Sequence, residues 1–287
     1  MKVVLSPNPF RDKDLKVAQA ARRVLERAGA ETCMCLPFDL EHATVELPKN
    51  LPLLSEQDAF AGADMLICFG GDGTILHAAK AAQSHNVPVL GVNLGSVGFM
   101  AELESTELDR LSRLVEGKYT LEERMMMDVA VKREGRVLFR DRALNDAVVT
   151  KGAVARIIDL EVRSDGQLVS RFSGDGVIVA TPTGSTAYSM SAGGPIIEPT
   201  AQDILVTPIC PHALHARSYV LDRERVVSVR MGKQSRRTVY LSVDGGRAFR
   251  LGTTDVVELR KSPVNARLVK LSNRSFYAVL NQKLGRS

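Results

Sequence analysis

The chain has 287 residues, of which 45% are apolar and 25% charged, with a formal charge of +5. That length suggests about two domains, because single cores stop growing near ~250 residues, and the composition is that of a folded globular protein that needs no disulfide or metal staple. Aromatics make up only 5% and no basic run is interleaved with them, which argues against a nucleic-acid binder and suits a mildly positive protein that handles small anions such as nucleotides.

In chain order, the first part alternates strand and helix signals. Val3 to Ser6 reads as a buried strand broken by Pro7-Asn8-Pro9. A helix is predicted from Leu15 to Ala28, with Val17, Ala21, Val24 and Ala28 on one stripe and Gly29 as its stop. Further strands are predicted over Thr32–Leu36, Met65–Phe69 and Pro88–Val92, a helix from Ile75 to about Ser84, and another from about Thr106 to Val115 capped by Ser105. This alternation predicts an α/β domain, residues 1–118, with a Rossmann-like parallel sheet covered by helices.

Near Tyr119 the texture changes. Short β-branched runs follow at Asp128–Lys132, Ala147–Thr150, Ile157–Arg163, Val177–Thr181, Val226–Arg230, Val239–Val243, Val256–Leu259 and Leu268–Leu271. Ser164-Asp165-Gly166-Gln167 is a strong hairpin signal. An all-β domain is therefore expected over 119–271. The tail, 272–287, carries a helical pattern from Tyr277 to Leu284 and is expected to pack back on the first domain. Cys33, Cys35, Cys68 and Cys210 show neither zinc spacing nor a disulfide framework, and they point to a reducing, cytoplasmic setting. No run reaches the ~20 apolar residues of a membrane helix, and the apolar stretch before Pro7 is too short for a secretion signal.

Three segments carry chemistry. Gly70-Gly71-Asp72-Gly73-Thr74 follows a buried strand and opens a helix. Ligands of open α/β sheets bind beyond the carboxyl ends of strands, and a helix N-terminus favours anions. The loop lacks the Gly-Lys-Ser/Thr of a P-loop and the Gly-x-Gly-x-x-Gly of a dinucleotide fold. It carries a carboxylate instead, which accepts a proton, orients a hydroxyl or holds a metal, or else simply caps the helix. The segment Gly91-Val92-Asn93-Leu94-Gly95-Ser96-Val97-Gly98-Phe99 ends the next strand, so both loops belong on one sheet edge. The third segment, Thr181-Pro182-Thr183-Gly184-Ser185-Thr186-Ala187-Tyr188-Ser189-Met190-Ser191-Ala192-Gly193-Gly194-Pro195, is rich in hydroxyls on a thin backbone and suits a sugar or nucleotide ligand. Long idle loops are rare in compact domains.

These segments, with Leu144-Asn145-Asp146 and Pro208-Ile209-Cys210-Pro211-His212, stand in the order found in NAD kinases, and the chain resembles that family along nearly its full length. Gly-Gly-Asp-Gly alone also occurs in diacylglycerol and sphingosine kinases and, in related form, in phosphofructokinases. The fifteen residues ending at Pro195 are the specific part. The resemblance implies transfer of a phosphoryl group from ATP or another donor to the 2′-hydroxyl of the adenosine ribose of NAD, with Mg²⁺ as divalent ion. It implies Asp72 as catalytic carboxylate and Gly73 as a backbone contact. It implies Asn145 and Asp146 as the dinucleotide-binding pair, Asp175 at the nicotinamide end, and Thr183, Thr186, Ala187, Tyr188 and Ser191 along the dinucleotide. By the same resemblance, Phe99 falls where the family has an adenine-pocket Phe, and His77 and Arg156 where family members often carry basic residues near phosphates; a packed core Phe and a helix-surface His are the plain alternatives for Phe99 and His77. His212 matches a family motif without an assigned role, and no metal ligands are assigned.

Two departures bear on the preference between oxidised and reduced dinucleotide. Ser173 stands where several relatives are basic, and Val243-Asp244-Gly245-Gly246 has glycine where the family carries Gln. The family also implies a homodimer or homotetramer, with no nucleic-acid or membrane partner. Two other readings stay open at this stage, a lipid kinase of the related superfamily and a protein that senses NAD without turning it over.

Overall fold

The computed structural model describes residues 1–37, 47–48, 51–95, 98–152, 156–213, 216–232 and 238–285. The backbone divides into two units, Met1–Glu123 with Ala266–Ser287, and Arg124–Asn265. In the first unit the chain runs β1 (Lys2–Pro7), α1 (Lys16–Arg27), β2 (Glu31–Met34), α2 (Glu56–Phe60), β3 (Met65–Gly70), α3 (Asp72–Ser84), β4 (Val89–Asn93), β5 (Leu103–Glu104) and α4 (Ser112–Val115). The strands pair in parallel, in the order β2-β1-β3-β4, with β5 beside β4. Every residue of β3 and β4 is buried. This is why they read as continuous apolar runs rather than as alternating ones.

Two helices differ from expectation. The buried stripe of α1 is Ala18, Ala21 and Leu25, while Val17 and Val24 are only partly buried beside it. The Asp12 carboxylate accepts the Val17 and Ala18 N–H groups, each at 2.9 Å, so an upstream acid satisfies the orphan donors of α1. The helix expected over Thr106–Val115 forms as a 3₁₀ turn, Leu108–Leu111, followed by the single turn α4. Ser105 does not cap it. Glu107 turns back to accept the Glu104 N–H at 3.0 Å, and its own N–H bonds the Glu104 carbonyl, closing a turn where the helix would have begun.

The second unit continues with β6 (Thr120–Arg133), β7 (Arg136–Ala143), β8 (Asp146–Lys151), β9 (Ile158–Ser164), β10 (Gln167–Gly174), β11 (Gly176–Ala180), α5 (Tyr188–Ser191), β12 (Asp203–Ile209), β13 (Tyr219–Asp222), β14 (Val227–Met231), β15 (Val239–Val243), β16 (Phe249–Leu251) and β17 (Val256–Lys270). One set of strands follows the order β10-β9-β14-β17, with β6 on β17 and β7 on β6; the other follows β13-β12-β11-β8-β15-β16. Alternate side chains of both sets, among them Val129, Leu160, Val179, Val206 and Leu241, form one core. Asp165 and Gly166 both adopt positive φ in the β9–β10 hairpin turn, as the sequence signal requires.

The two short strands expected at Val256–Leu259 and Leu268–Leu271 are parts of one long strand, β17. Its first half pairs with β14, and Leu268 pairs with Val89 of β4. The helix α6 (Phe276–Leu284), capped by the Ser275 hydroxyl, then completes the first unit. Among the described residues no helix is long and apolar enough to cross a membrane.

Candidate active site

In the first unit, β3 runs directly into α3 through Gly70 and Gly71. A side chain at Gly70 would put its Cβ 2.3 Å from Thr74 Oγ1, so the strand-to-helix turn closes only on glycine. Thr74 is pinned in turn by Asn8 Nδ2, which donates to its hydroxyl at 3.0 Å. Helix α3 thus begins at Asp72, three residues before the expected start. The Phe99 N–H donates to Asp72 Oδ2 at 2.9 Å and the Met100 N–H to Oδ1 at 3.1 Å. A Cβ on Gly98 would lie 2.2 Å from Oδ1. The two glycine loops therefore meet through one carboxylate, and Gly98 is what lets it approach. Ser96 and Val97 lie outside the described residues.

Around this centre, Gly73 is exposed and His77 lies on the exposed face of α3. Phe99 is half-buried and tilts on Phe276 with ring centroids 6.2 Å apart. Lys283 of α6 places Nζ 3.8 Å from Asp72 Oδ2 and 4.3 Å from the centroid of the Phe99 ring.

In the second unit, Asn145 and Asp146 sit where β8 begins. Asp244 organises this point: its carboxylate accepts the N–H groups of Leu144, Asn145 and Asp146 at 2.8, 2.9 and 3.0 Å. The Asn145 carbonyl accepts the Thr181 N–H at 2.9 Å, and a Cβ on Gly184 would meet it at 2.1 Å. The Asn-Asp pair and the hydroxyl-rich segment are thus locked backbone to backbone. Asp146 is buried, and its carboxyl is pushed up to about 7, first by burial and then by the neighbouring charge of Asp244.

The hydroxyl-rich segment is more structural than its composition suggests. Thr181 donates to the Leu144 carbonyl, Ser185 both donates to and accepts from Ile197, and Ser189 pairs with Thr207 at 2.9 Å. Thr183 is buried and accepts from Arg124 Nη1 at 3.4 Å, while Thr186 donates to the Thr183 carbonyl at 3.3 Å. Ala187 is half-buried. Tyr188, 46% exposed, and Ser191 are the exposed polar side chains of the segment.

Asp175 lies at the other end of β11. Its carbonyl accepts the Lys151 N–H, and its carboxylate pairs with Lys151 Nζ at 2.6 Å. Asp175 is six residues from Thr181, which at ~3.3 Å per residue is about 20 Å. Arg156, exposed just before β9, shares this end because Ile158 pairs with Gly174. Ser173 donates to Asp159, and its carbonyl accepts the His212 N–H at 2.8 Å. Within the second unit, then, the sequence-derived residues form two groups: Asn145, Asp146 and the turn Thr183–Thr186 at one end of β11, Asp175 and Arg156 at the other. Asp244 and Lys283 were not singled out as functional by sequence reasoning. The Asp-Gly-Gly turn marks Asp244 as a turn residue and not as an acceptor for a distant loop, and nothing in the tail marks one lysine among several.

An α/β unit whose glycine loop holds a carboxylate, followed by a β unit with a hydroxyl-rich turn, suits a phosphotransferase. The comparisons make this specific. Residues 8–119 match the model of the ATP-NAD kinase N-terminal domain and residues 144–271 that of the C-terminal domain. The chain is 35% identical to the NAD kinase of Acetivibrio thermocellus over 285 residues, covering 99% of this chain and 97% of that one. It is 49% identical to the NAD kinase of Symbiobacterium thermophilum over 230 residues, covering 80% and 81%. Among solved structures it is similar to yeast NADH kinase complexed with NADH, with a TM-score of 0.85, 27% identity and coverage of 99% and 87%. It is also similar to an NAD kinase from Archaeoglobus fulgidus in complex with ATP, with a TM-score of 0.75, 26% identity and full coverage of both chains. The chain belongs to the ATP-NAD kinase family. It is an enzyme that phosphorylates NAD with ATP, and neither the lipid-kinase nor the sensor reading gains support from these matches.

Proposed function

We propose that the phosphoryl group goes to the 2′-hydroxyl of the adenosine ribose and that Asp72 is the carboxylate beside that hydroxyl. The observation that carries this is the grip on Asp72, whose two oxygens are aimed by the Phe99 and Met100 N–H groups. A carboxylate has about four lone-pair sites, so two such bonds leave room for a ribose O–H. It is too weak a base to ionise an alcohol outright. In a loose phosphoryl-transfer transition state it orients the hydroxyl and takes the proton late. The ribose O–P bond forms, the bond from the γ-phosphorus to the β–γ bridging oxygen breaks, ADP leaves, and the ribose proton passes to Asp72.

Gly73 and Phe99 are assigned to the same substrate, with Asn145, Asp146, Thr183, Thr186, Ala187, Tyr188 and Ser191 as dinucleotide contacts. Asp146 and Tyr188 are best placed among the latter, one a buried acceptor and the other an exposed ring. His77 and Arg156 are assigned to phosphates. Asp175 keeps its assignment to the nicotinamide end, and its distance from Asn145 along β11 favours a second copy of the chain as its source. A homodimer or homotetramer follows on this reading, and sedimentation measures it. Magnesium binds chiefly through substrate phosphates and water. The ion is carried by the donor and neutralises charge on the transferring phosphate.

The test is NADP formation from NAD, ATP and Mg²⁺ in the parent and in Asp72→Ala. The variant keeps its circular dichroism and loses ~10²–10⁴-fold in turnover. A fully active variant refutes the role given to Asp72.

A further inference from the structure

Lys283 stands beside Asp72 and carries a full positive charge. Two anions converge at Asp72 during transfer, its own carboxylate and the incoming phosphoryl group. The other partners of Asp72 described here are backbone N–H groups, which orient the carboxylate without bringing a full charge. Lys283 brings one. Its Nζ stands 3.8 Å from Oδ2, an ion pair beyond hydrogen-bond length, and is steadied over the Phe99 ring at 4.3 Å from the centroid. The lysine sits on an ordered element: α6 is capped by Ser275, buries Val279 and sets Phe276 against Phe99. Its side chain is 30% exposed, so the four-carbon stem has room to swing.

We infer that Lys283 is a further catalytic residue, a cation that pairs with Asp72 before transfer and with the new 2′-phosphate after it. The proposal rests on the placement of Asp72 at the ribose hydroxyl. As the ribose O–P bond forms and the hydroxyl proton passes to Asp72, the carboxylate loses its charge while the ribose oxygen gains a dianionic phosphate. An ammonium beside both follows the charge from one to the other. That interaction strengthens along the reaction, which is the kind that raises kcat rather than substrate affinity.

Lys283→Met keeps the stem and removes the charge, and Lys283→Arg keeps the charge. Steady-state kinetics are measured on both, with Kd for NAD and for NADP by calorimetry, and with Asp72→Ala alongside. For Lys283→Met the expectation is a fall in kcat of ~10–100-fold, a KM for NAD within about threefold of the parent, and NADP binding weakened about tenfold while NAD binding holds. Lys283→Arg recovers most of both losses. The proposal is overturned if Lys283→Met turns over like the parent, if Arg fails to rescue, or if NAD and NADP affinity fall together, the mark of a merely structural side chain. The control separates the two claims. An active Asp72→Ala removes the placement of Asp72, whereas an inactive Asp72→Ala with an unaffected Lys283→Met removes only the role of Lys283.

Discussion

Asp146 gives the sharpest quantitative expectation. Its carboxyl is raised from 3.8 to about 7, a gap worth on the order of 4 kcal/mol at ~1.4 kcal/mol per pH unit. The sign follows from proton counting. Between about pH 4 and pH 7 the folded chain holds a proton on Asp146 that the unfolded chain has released. Stability from this group therefore falls as pH rises through that window and is flat above about 7. Asp146→Asn removes the titration. The variant is expected to exceed the parent by only about 1 kcal/mol near pH 4.5 and by up to about 4 kcal/mol above pH 7. Urea unfolding at half-unit steps from pH 4.5 to 8.5 measures the difference, and titrating groups that do not interact with Asp146 cancel because both proteins share them. Parallel stability curves would refute the argument that burial holds this acid neutral. If ribose hydroxyls donate to the charged form, NAD binding expels the proton. Affinity in the parent then rises with pH through about 7 and is level in Asp146→Asn.

Other expectations follow from close contacts. Gly98→Ala puts a methyl 2.2 Å from Asp72 Oδ1; with the fold kept, turnover should fall ~10²-fold as the carboxylate is displaced, and an unchanged kcat would show that the grip is unimportant. Gly184→Ala drives a methyl into the Asn145 carbonyl at 2.1 Å. It should cost about 1–3 kcal/mol in denaturant unfolding and weaken NAD binding by calorimetry. The buried carboxylate of Glu102 accepts the Leu271 and Ser272 N–H groups and the Ser272 hydroxyl and pairs with Lys270. Glu102→Ala should therefore cost about 3–5 kcal/mol, read as a lowered urea midpoint.

Much of this was legible in the sequence because the informative residues act locally. Apolar runs fix the parallel strands, Asp165-Gly166 fixes its hairpin, and Gly70 and Gly98 mark where chain must approach chain. What escaped was non-local. Whether a hydroxyl faces a ligand or another protein group depends on partners such as Ile197 and Thr207, so the hydroxyl-rich stretch reads as ligand-binding as a whole, and its sequence does not set Ser185 and Ser189 apart as internal fasteners. The pairing of Asp244 with a loop about one hundred residues earlier has no local signature. The apolar pattern of strand β17 breaks at Pro263 and its polar neighbours, although pairing at its two ends keeps it extended. The helix expected at Thr106 failed because the Glu107 side chain prefers the nearer backbone donor.

Strand β17 and helix α6 also set a schedule for biosynthesis. Residues 266–285 belong to the first unit yet leave the ribosome after the whole of the second. Until translation has passed the β-rich half, β4 has β5 beside Val92 and Asn93 but lacks its β17 partner at Val89, and Lys283 is absent from Asp72. Long-range closure of this kind slows folding and leaves sheet edges open to mispairing, so the contact of Lys283 with Asp72 forms only after the second unit has been made.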